Sequence, residues 1–534
     1  MEMSEDRTRG EVWQVWEWPI PTKGMTTSLL PFSVPPTAAL ALENVVLDFG
    51  MVRVRKGWFK LGSSLDSNVL KLFRAFDRDG NERLFCVTKS SLYEYTGGDW
   101  VSRFTGLSAV ERTPISVAVH VNQKLYIATG YNDLLEYDLY TNTGAFRTDI
   151  LYKKPRSVAS VAGRLCLFNV EQGTPPVRYP NRIAYSGPFG SFQPGEAGVG
   201  TIDMADADDY IQTVDVLKDV AVIRRRKSVW LMSPTNETVV DVSGGIVIST
   251  PLVFRFERVL SGDVCESPRS FFSFGDSVYY VAGRNLWRLR AGLPEDVLPV
   301  GASLSPLLEA IADEDLALVT LGADPSTQTL YVSVPYPDTG VSDAPFLLRI
   351  SLRTPKDPQL VKFTSRRCFA VGFGSYRVPG KTFNDLWTTP FSGVWGTPFR
   401  VLGGLLSSSM LFGVDNSVYA ESTDMQDSFG AIPVRWVTGL SNFGSPWYKV
   451  VERVAVLVKR GSGALTMRVG FSFDGSTITW SVPQTKNLSD NAMVLFDWTL
   501  PEALMFAVEL QSDVSGDMQI GSILAYWRPT SPGS

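Results

Sequence analysis

The side chains that could do chemistry are few and scattered. The stretch "DMADADDY" at 203–210 stacks Asp203, Asp206, Asp208 and Asp209. Carboxylates at that spacing could ligate Ca²⁺, but a helix–loop–helix calcium loop needs Gly at its sixth position and Glu at its twelfth. Counted from Asp206, those positions hold Ile211 and Leu217. The stretch therefore reads as a solvated acidic loop, with an acidic channel lining or a subunit contact as its expected use. "VIRRRKSVW" at 222–230 sets Arg224, Arg225, Arg226 and Lys227 at a strand turn. It could grip phosphate or an acidic partner. The plainer reading is a charged hairpin edge that discourages strand pairing.

His120 is the only histidine. That excludes multi-histidine metal sites and multi-histidine catalysis. A Ser-His-Asp triad would have to use it, and no G-x-S-x-G stretch supports one. No phosphate-binding P-loop and no dinucleotide fingerprint occurs. A glycosidase needs only two carboxylates from anywhere in the chain, and no positive sign marks such a pair. "SFDGSTITW" at 472–480 resembles the Asp-box hairpin in composition, but its glycine follows the aspartate directly. Asp474-Gly475 is expected to form a two-residue type I′ turn between strands. Cys86, Cys166, Cys265 and Cys368 contain no C-x-x-C pair and sit mostly in apolar company, so buried free thiols are expected. No catalytic residue, cofactor or metal is expected.

The elements that would position these residues are nearly all strands. The chain has 534 residues, 44% hydrophobic and 20% charged, which is ample for more than one core. Gly at 45 and Pro at 33, with 12% aromatics, point to an all-β protein rich in turns. A net charge of −5 argues against a chain held on DNA by counterion release. No stretch is long and apolar enough for a bilayer span, so membrane insertion is not expected. The start "MEMSEDRTRGEVW" has no apolar signal core, and synthesis in a reducing cytoplasm is expected.

One phrase recurs: strand, turn, strand, turn, strand. It appears at 70–96, 115–141, 157–187, 210–234, 270–290 and 316–352, and in weaker form within 366–420. A unit of this size cannot bury both faces of its sheet alone, but packed radially with its neighbours it can. The expectation is a degenerate six- or seven-bladed β-propeller over 66–428. Longer alternating strands from 429 to 534 predict a β-sandwich. The best helical pattern is 303–318, with Leu307, Leu308, Ile311 and Leu316 on one face. Residues 1–65 read as an extended N-terminal arm with first strands. Trp13, Trp16 and Trp18 make it a candidate interface, packing either on the chain's own propeller or on a neighbouring subunit.

Two stretches carry a resemblance. In "PPTAALALENVVLDFGMVRVRKGWFKLG" (35–62), Leu42-Glu43-Asn44-Val45 precedes a short strand and an Arg55-Lys56-Gly57-Trp58 turn, with Lys56 where proline is common. In 181–234, a Tyr185-Ser186 pair is followed by the acidic loop, Ile211 and Ser228-Val229-Trp230. A late blade with a short helix and a closing "QIGSILAYWRP" strand complete the order. In this order the chain resembles the tail nozzle, or tail hub and accessory, proteins of short-tailed double-stranded-DNA bacteriophages. The resemblance implies a non-enzymatic virion protein made in the host cytoplasm. It implies a multi-copy, hexameric ring below the portal and adaptor, with copies of itself, a tail needle or plug, and spikes or fibres as partners. Genome DNA would pass through transiently and without sequence preference. The alternatives are a receptor-binding or tail-tip adhesin propeller and a glycan-cleaving propeller enzyme.

Overall fold

The computed structural model describes residues 13–530, apart from 236–252, 262–264, 291–296, 300–304, 336–344, 354–358, 365–366, 378–405, 423–426 and positions 49, 97, 189, 197, 207, 429, 462 and 515. The chain divides into two units: 60–347 with 365–421, and 1–59 with 348–364 and 422–534.

The first unit is a seven-bladed β-propeller. Its blades begin with the inner strands Lys71–Phe76, Ser116–Val119, Ser157–Val161, Ile211–Leu217, Phe272–Phe274, Thr320–Asp324 and Cys368–Arg377. Each inner strand starts a sheet that steps outward through antiparallel neighbours, as in the order Lys71–Phe76, Glu82–Val87, Ser91–Thr96, Asp99–Thr105. The second strands have both faces covered, so they read as unbroken apolar runs; Ser277–Ala282 is buried at every position. Adjacent blades share their cores. Phe85, Val87 and Leu92 of blade 1 pack with Leu125, Ile127 and Leu135 of blade 2. Leu217, Val222 and Val229 of blade 4 pack with Val278, Tyr280 and Leu289 of blade 5.

The ring closes between its two ends. Leu61 N–H donates to Val418 O (2.8 Å), Leu65 N–H to Asn416 O (2.7 Å) and Val69 N–H to Asp415 O (2.8 Å). Blade 7 makes room for this with glycine. A Cβ on Gly413 would stand 2.5 Å from Val69 Cγ1, and one on Gly372 2.8 Å from Leu72 Cβ. The helical pattern at 303–318 forms two short helices, Ser305–Glu309 and Asp313–Leu316, because Ala312 is extended. Arg284 takes up the freed carbonyls of Leu308, Glu309 and Ile311.

The second unit is a β-sandwich. One sheet orders Val45–Asp48, Met51–Val54, Gln519–Pro529, Lys449–Arg460 and Ala492–Asp497. The other runs Gln359–Thr364, Ala39–Glu43, Ile432–Thr438, Met505–Val514 and Ala464–Ser472, with Thr479–Trp480 and Gln484–Asn487 on its far edge. The expected partition at 65/66 and 428/429 is therefore redrawn. Residues 14–18 pair along Gln519–Pro529, so most of the N-terminal segment is sandwich rather than a free arm. The expected type I′ turn is also replaced. Asp474 is not left-handed, and a six-residue loop separates Ser472 from Thr479. The Asp474 carboxylate organises that loop by accepting from Ser472 Oγ, Ser476 N–H and Thr477 N–H at 2.9–3.0 Å.

Candidate functional site

Two of the three tryptophans, Trp16 and Trp18, pack in the sandwich. Trp18 is 2% exposed. Its ring meets Phe443 edge-on at 5.3 Å, and Trp16 lies 5.7 Å from the same Phe443, which also contacts Phe506 and Trp527. Arg528 lies 5.4 Å from the Trp13 ring. Trp16 and Trp18 pack within the sandwich unit, on Phe443, instead of on the propeller. Short alternating segments bury large aromatics wherever a sheet edge is free, and here Gln519–Pro529 offers one.

The acidic and basic stretches are not two separate surfaces; they meet in one knot at the start of blade 4. Asp209 is buried. Its carboxylate accepts from Lys227 N–H (2.5 Å) and from Ser228 Oγ, with Arg225 Nη1 at 3.7 Å. Arg225 Nη2 donates to the carbonyls of Ala205 and Asp206, both at 2.8 Å. Asn181 donates to the same Asp206 carbonyl at 2.8 Å, and Trp230 Nε1 donates to Ser228 Oγ at 2.8 Å. Asp206 supplies that carbonyl from a left-handed backbone, φ 77°. Arg224 is buried with its guanidinium 5.2 Å from the Tyr280 ring of blade 5. Asp203 is paired outward with Arg182 at 2.6 Å. Asp208, Arg226 and Lys227 remain exposed.

A second knot, in the sandwich unit, uses the first resembling stretch. Asn44 is fully buried and left-handed, φ 56°. Its Nδ2 donates to Pro433 O (2.6 Å) and its Oδ1 accepts from Arg55 Nε (3.0 Å). Arg55 forks onto Asp427 at 2.9 and 2.5 Å and lies 4.8 Å from the Trp58 ring, while Trp58 N–H donates to Asp427 at 2.7 Å. Bidentate arginine–carboxylate pairing explains why this place takes Arg rather than Lys. Asp427 lies 372 residues from Arg55, which is why sequence reading finds one half of the pair and not the other.

The propeller axis holds the feature that sequence reading missed. A cavity of about 190 Å³ is lined by residues of the inner strands, among them Lys71, Phe73, Ser116, Val117, Asp215 and Arg269. The Pro268–Ser270 turn contributes Pro268 and Arg269 to its lining. Buried Arg269 donates to Leu70 O (2.8 Å), Phe369 O (2.5 Å) and Glu111 O (2.5 Å), joining blades 7 and 1 and the segment between blades 1 and 2. Burial pulls its guanidinium down to about 10. Asp215 accepts from Val216 N–H (2.9 Å) and Ser273 N–H (2.7 Å), and burial raises its carboxyl despite the Lys71 charge. Burial lowers the Lys71 ammonium. No local motif signals this group, since its members come from five places in the chain and meet only when the ring closes.

His120 is buried, with Nδ1 2.9 Å from Ser160 Oγ, and burial lowers its pKa. All four cysteines are buried and unpaired. Among the described residues no group of three His, Cys, Asp or Glu side chains is placed to hold a metal. Among them no helix is long and apolar enough to cross a membrane.

No family model and no curated protein matches the chain. Among solved structures it is similar to a chain of the "Crystal Structure of Mitotic Checkpoint Complex", at 11% identity over 60% of this chain and 87% of that one, with a TM-score of 0.32. A likeness at that level defines neither family nor function.

Proposed function

We propose that the chain is a structural protein of a bacteriophage tail: a nozzle or hub subunit that assembles with copies of itself into a hexameric ring below the portal and adaptor. The observation that carries this reading is where the resembling residues lie. Asn44, Arg55 and Trp58 meet in one buried polar knot, and Asp209 of the acidic loop, Ser228 and Trp230 in another. Motifs invested in bracing a frame are what a non-catalytic scaffold is expected to share with its relatives. The axis agrees with this. A cavity of about 190 Å³ lined by Arg269 is smaller than an ordinary ligand pocket of roughly 300–1,000 Å³, so a double helix would pass between copies and not through a blade ring. A net charge of −5 lets phosphate slide past instead of sticking. Needle or plug and spikes or fibres would attach to the same ring.

Antibody-gold labelling of purified virus particles tests the reading. A collar of label at the tail, below the head vertex, is the expected result. Label confined to fibre or tail tips would replace it with the adhesin. Intact particles without label, and without the chain by mass spectrometry, would overturn the structural assignment altogether.

A further inference from the structure

The axial cavity is electrically unbalanced. Lys71, Arg74 and Arg269 line it against a single carboxylate, Asp215. The other ends of these groups are already committed. Asp215 receives two backbone N–H donors, Arg269 is spread over three carbonyls, and Arg74 reaches Glu82 at 3.4 Å. Lys71 is different. Its ammonium has no hydrogen-bond partner and no carboxylate within 4 Å among the described residues, and it lines the cavity next to Leu70, whose carbonyl Arg269 holds. Lys71 is half-buried, and its ammonium donors, without a protein acceptor, are left to water or to an anion that enters the cavity.

Access fits the same picture. Inner strands advance about 3.3 Å per residue, so Arg74 stands roughly 10 Å beyond Lys71 along the axis. Arg74 is exposed, as is Val119 on the neighbouring inner strand. Arg269 and Lys71 thus line the cavity toward the start of the inner strands, and Arg74 and Val119 line it toward their exposed ends.

We propose that this cavity binds a small oxyanion, a phosphate or a short carboxylate, with Lys71 as its principal contact. The volume admits a few heavy atoms and excludes nucleotides and sugars, which need the larger pockets typical of such ligands. Lys71 supplies the charge-assisted hydrogen bonds, Arg74 lines the exposed end, and Asp215 sets a ceiling on affinity by repelling the anion. The proposal does not depend on the tail reading, since it concerns one blade ring by itself.

Isothermal titration of the full chain in phosphate-free buffer, first with inorganic phosphate and then with malonate, tests it. Saturable one-to-one binding of at least one anion is expected, and the better binder tells phosphate from carboxylate. Lys71→Met should weaken that binding about tenfold or more, the equivalent of one charge-assisted contact of about 1.4 kcal/mol. Asp215→Asn should tighten it, and Lys227→Met, on an exposed turn, should leave it unchanged. Absence of saturable binding by both anions overturns the proposal. So does equal affinity in Lys71→Met. If Lys71→Met fails to fold, Asp215→Asn decides alone: unchanged or weaker binding there also overturns it.

Discussion

Glu509 of the sandwich, fully buried, and Asp215 of the propeller axis, half-buried, are both carboxylates on β-strands, and their surroundings move them in opposite directions. Burial pushes Glu509 up, but hydrogen bonds from Arg468, Arg435 and Gln511 outweigh it and hold the carboxyl below its ordinary value. Burial also pushes Asp215 up, and there the Lys71 charge and two backbone donors do not outweigh it. The sandwich surrounds its buried charge with partners until the charge is the favoured state. The axial well leaves charge short of partners. Where a fold satisfies every polar group, the group is architecture; where it stops short, something outside the chain has room to complete it.

The sharpest way to break this comparison is to remove a partner from a satisfied group. Arg55→Met strands Asp427 in the sandwich knot, and a loss of about 3–5 kcal/mol is expected for cutting one side of a buried pair. Denaturant titration followed by hydrogen exchange at the sandwich strands reads it; a loss under about 1 kcal/mol would mean that the knot relaxes to water. Asp209→Asn keeps the shape of its knot but removes the charge facing Arg225. A loss of about 1–3 kcal/mol in the propeller transition is expected.

Acid gives a graded version. The carboxyls of Glu509, Glu136 and Glu111 lie below the ordinary 4.5 in the folded chain. The unfolded chain therefore takes up protons first, and stability falls as pH drops from about 4.5 through the lowered folded values. Asp215 works the other way, since its raised carboxyl holds a proton more tightly when folded; its contribution is present below 3.8 and is lost as pH rises through the folded value. Thermal melts of wild type and Asp215→Asn between pH 3 and 6 separate the two senses, and parallel curves would erase the distinction.

Lys71→Met should change propeller stability by no more than roughly 0–1 kcal/mol, because Lys71 is half-buried, makes no hydrogen bond and meets Asp215 only at long range. A clear loss would show that Lys71 is architectural after all. Trp13→Ala is the smallest effect, about 0.5–1 kcal/mol for one exposed cation–ring contact with Arg528.

The blades were legible because each is local. The repeat at 70–96 falls on the three strands that begin at Lys71, and those at 115–141, 157–187 and 210–234 fall on blades 2 to 4 with the same alternation. Turn residues and period-two patterning carry that information within some thirty residues. The sandwich strands after 429 were legible for the same reason. The N-terminal segment was not, since nothing in "QVWEW" names Gln519–Pro529 as its partner. The polar knots were half legible. Arg224 to Lys227 and Asp203 to Asp209 stood out as runs, but that Asp209 holds the 227–228 turn, while Arg226 and Lys227 stay outside, depends on the register of blade 4. The axial well was invisible, since Lys71 and Arg269 each look like an ordinary charged residue at the end of a strand.

The closure between residues 61–69 and 415–418 also sets a clock. The bond from Asn416 to the Leu65 carbonyl joins residues 351 positions apart. At the usual 5–20 residues per second, a ribosome needs on the order of 20–70 s to make that much chain. Until blade 7 is made, blade 1 exists without the neighbour that packs against it, and Val69 and Leu72 lack the Gly413 and Gly372 backbone that they abut. The last blade to be made thus decides when the first becomes safe from pairing with strangers, and a chain cut short before Asp415 would carry six blades and two strands of the seventh, Cys368–Arg377 and Leu406–Val414, without the bonds to 415–418 that close the ring.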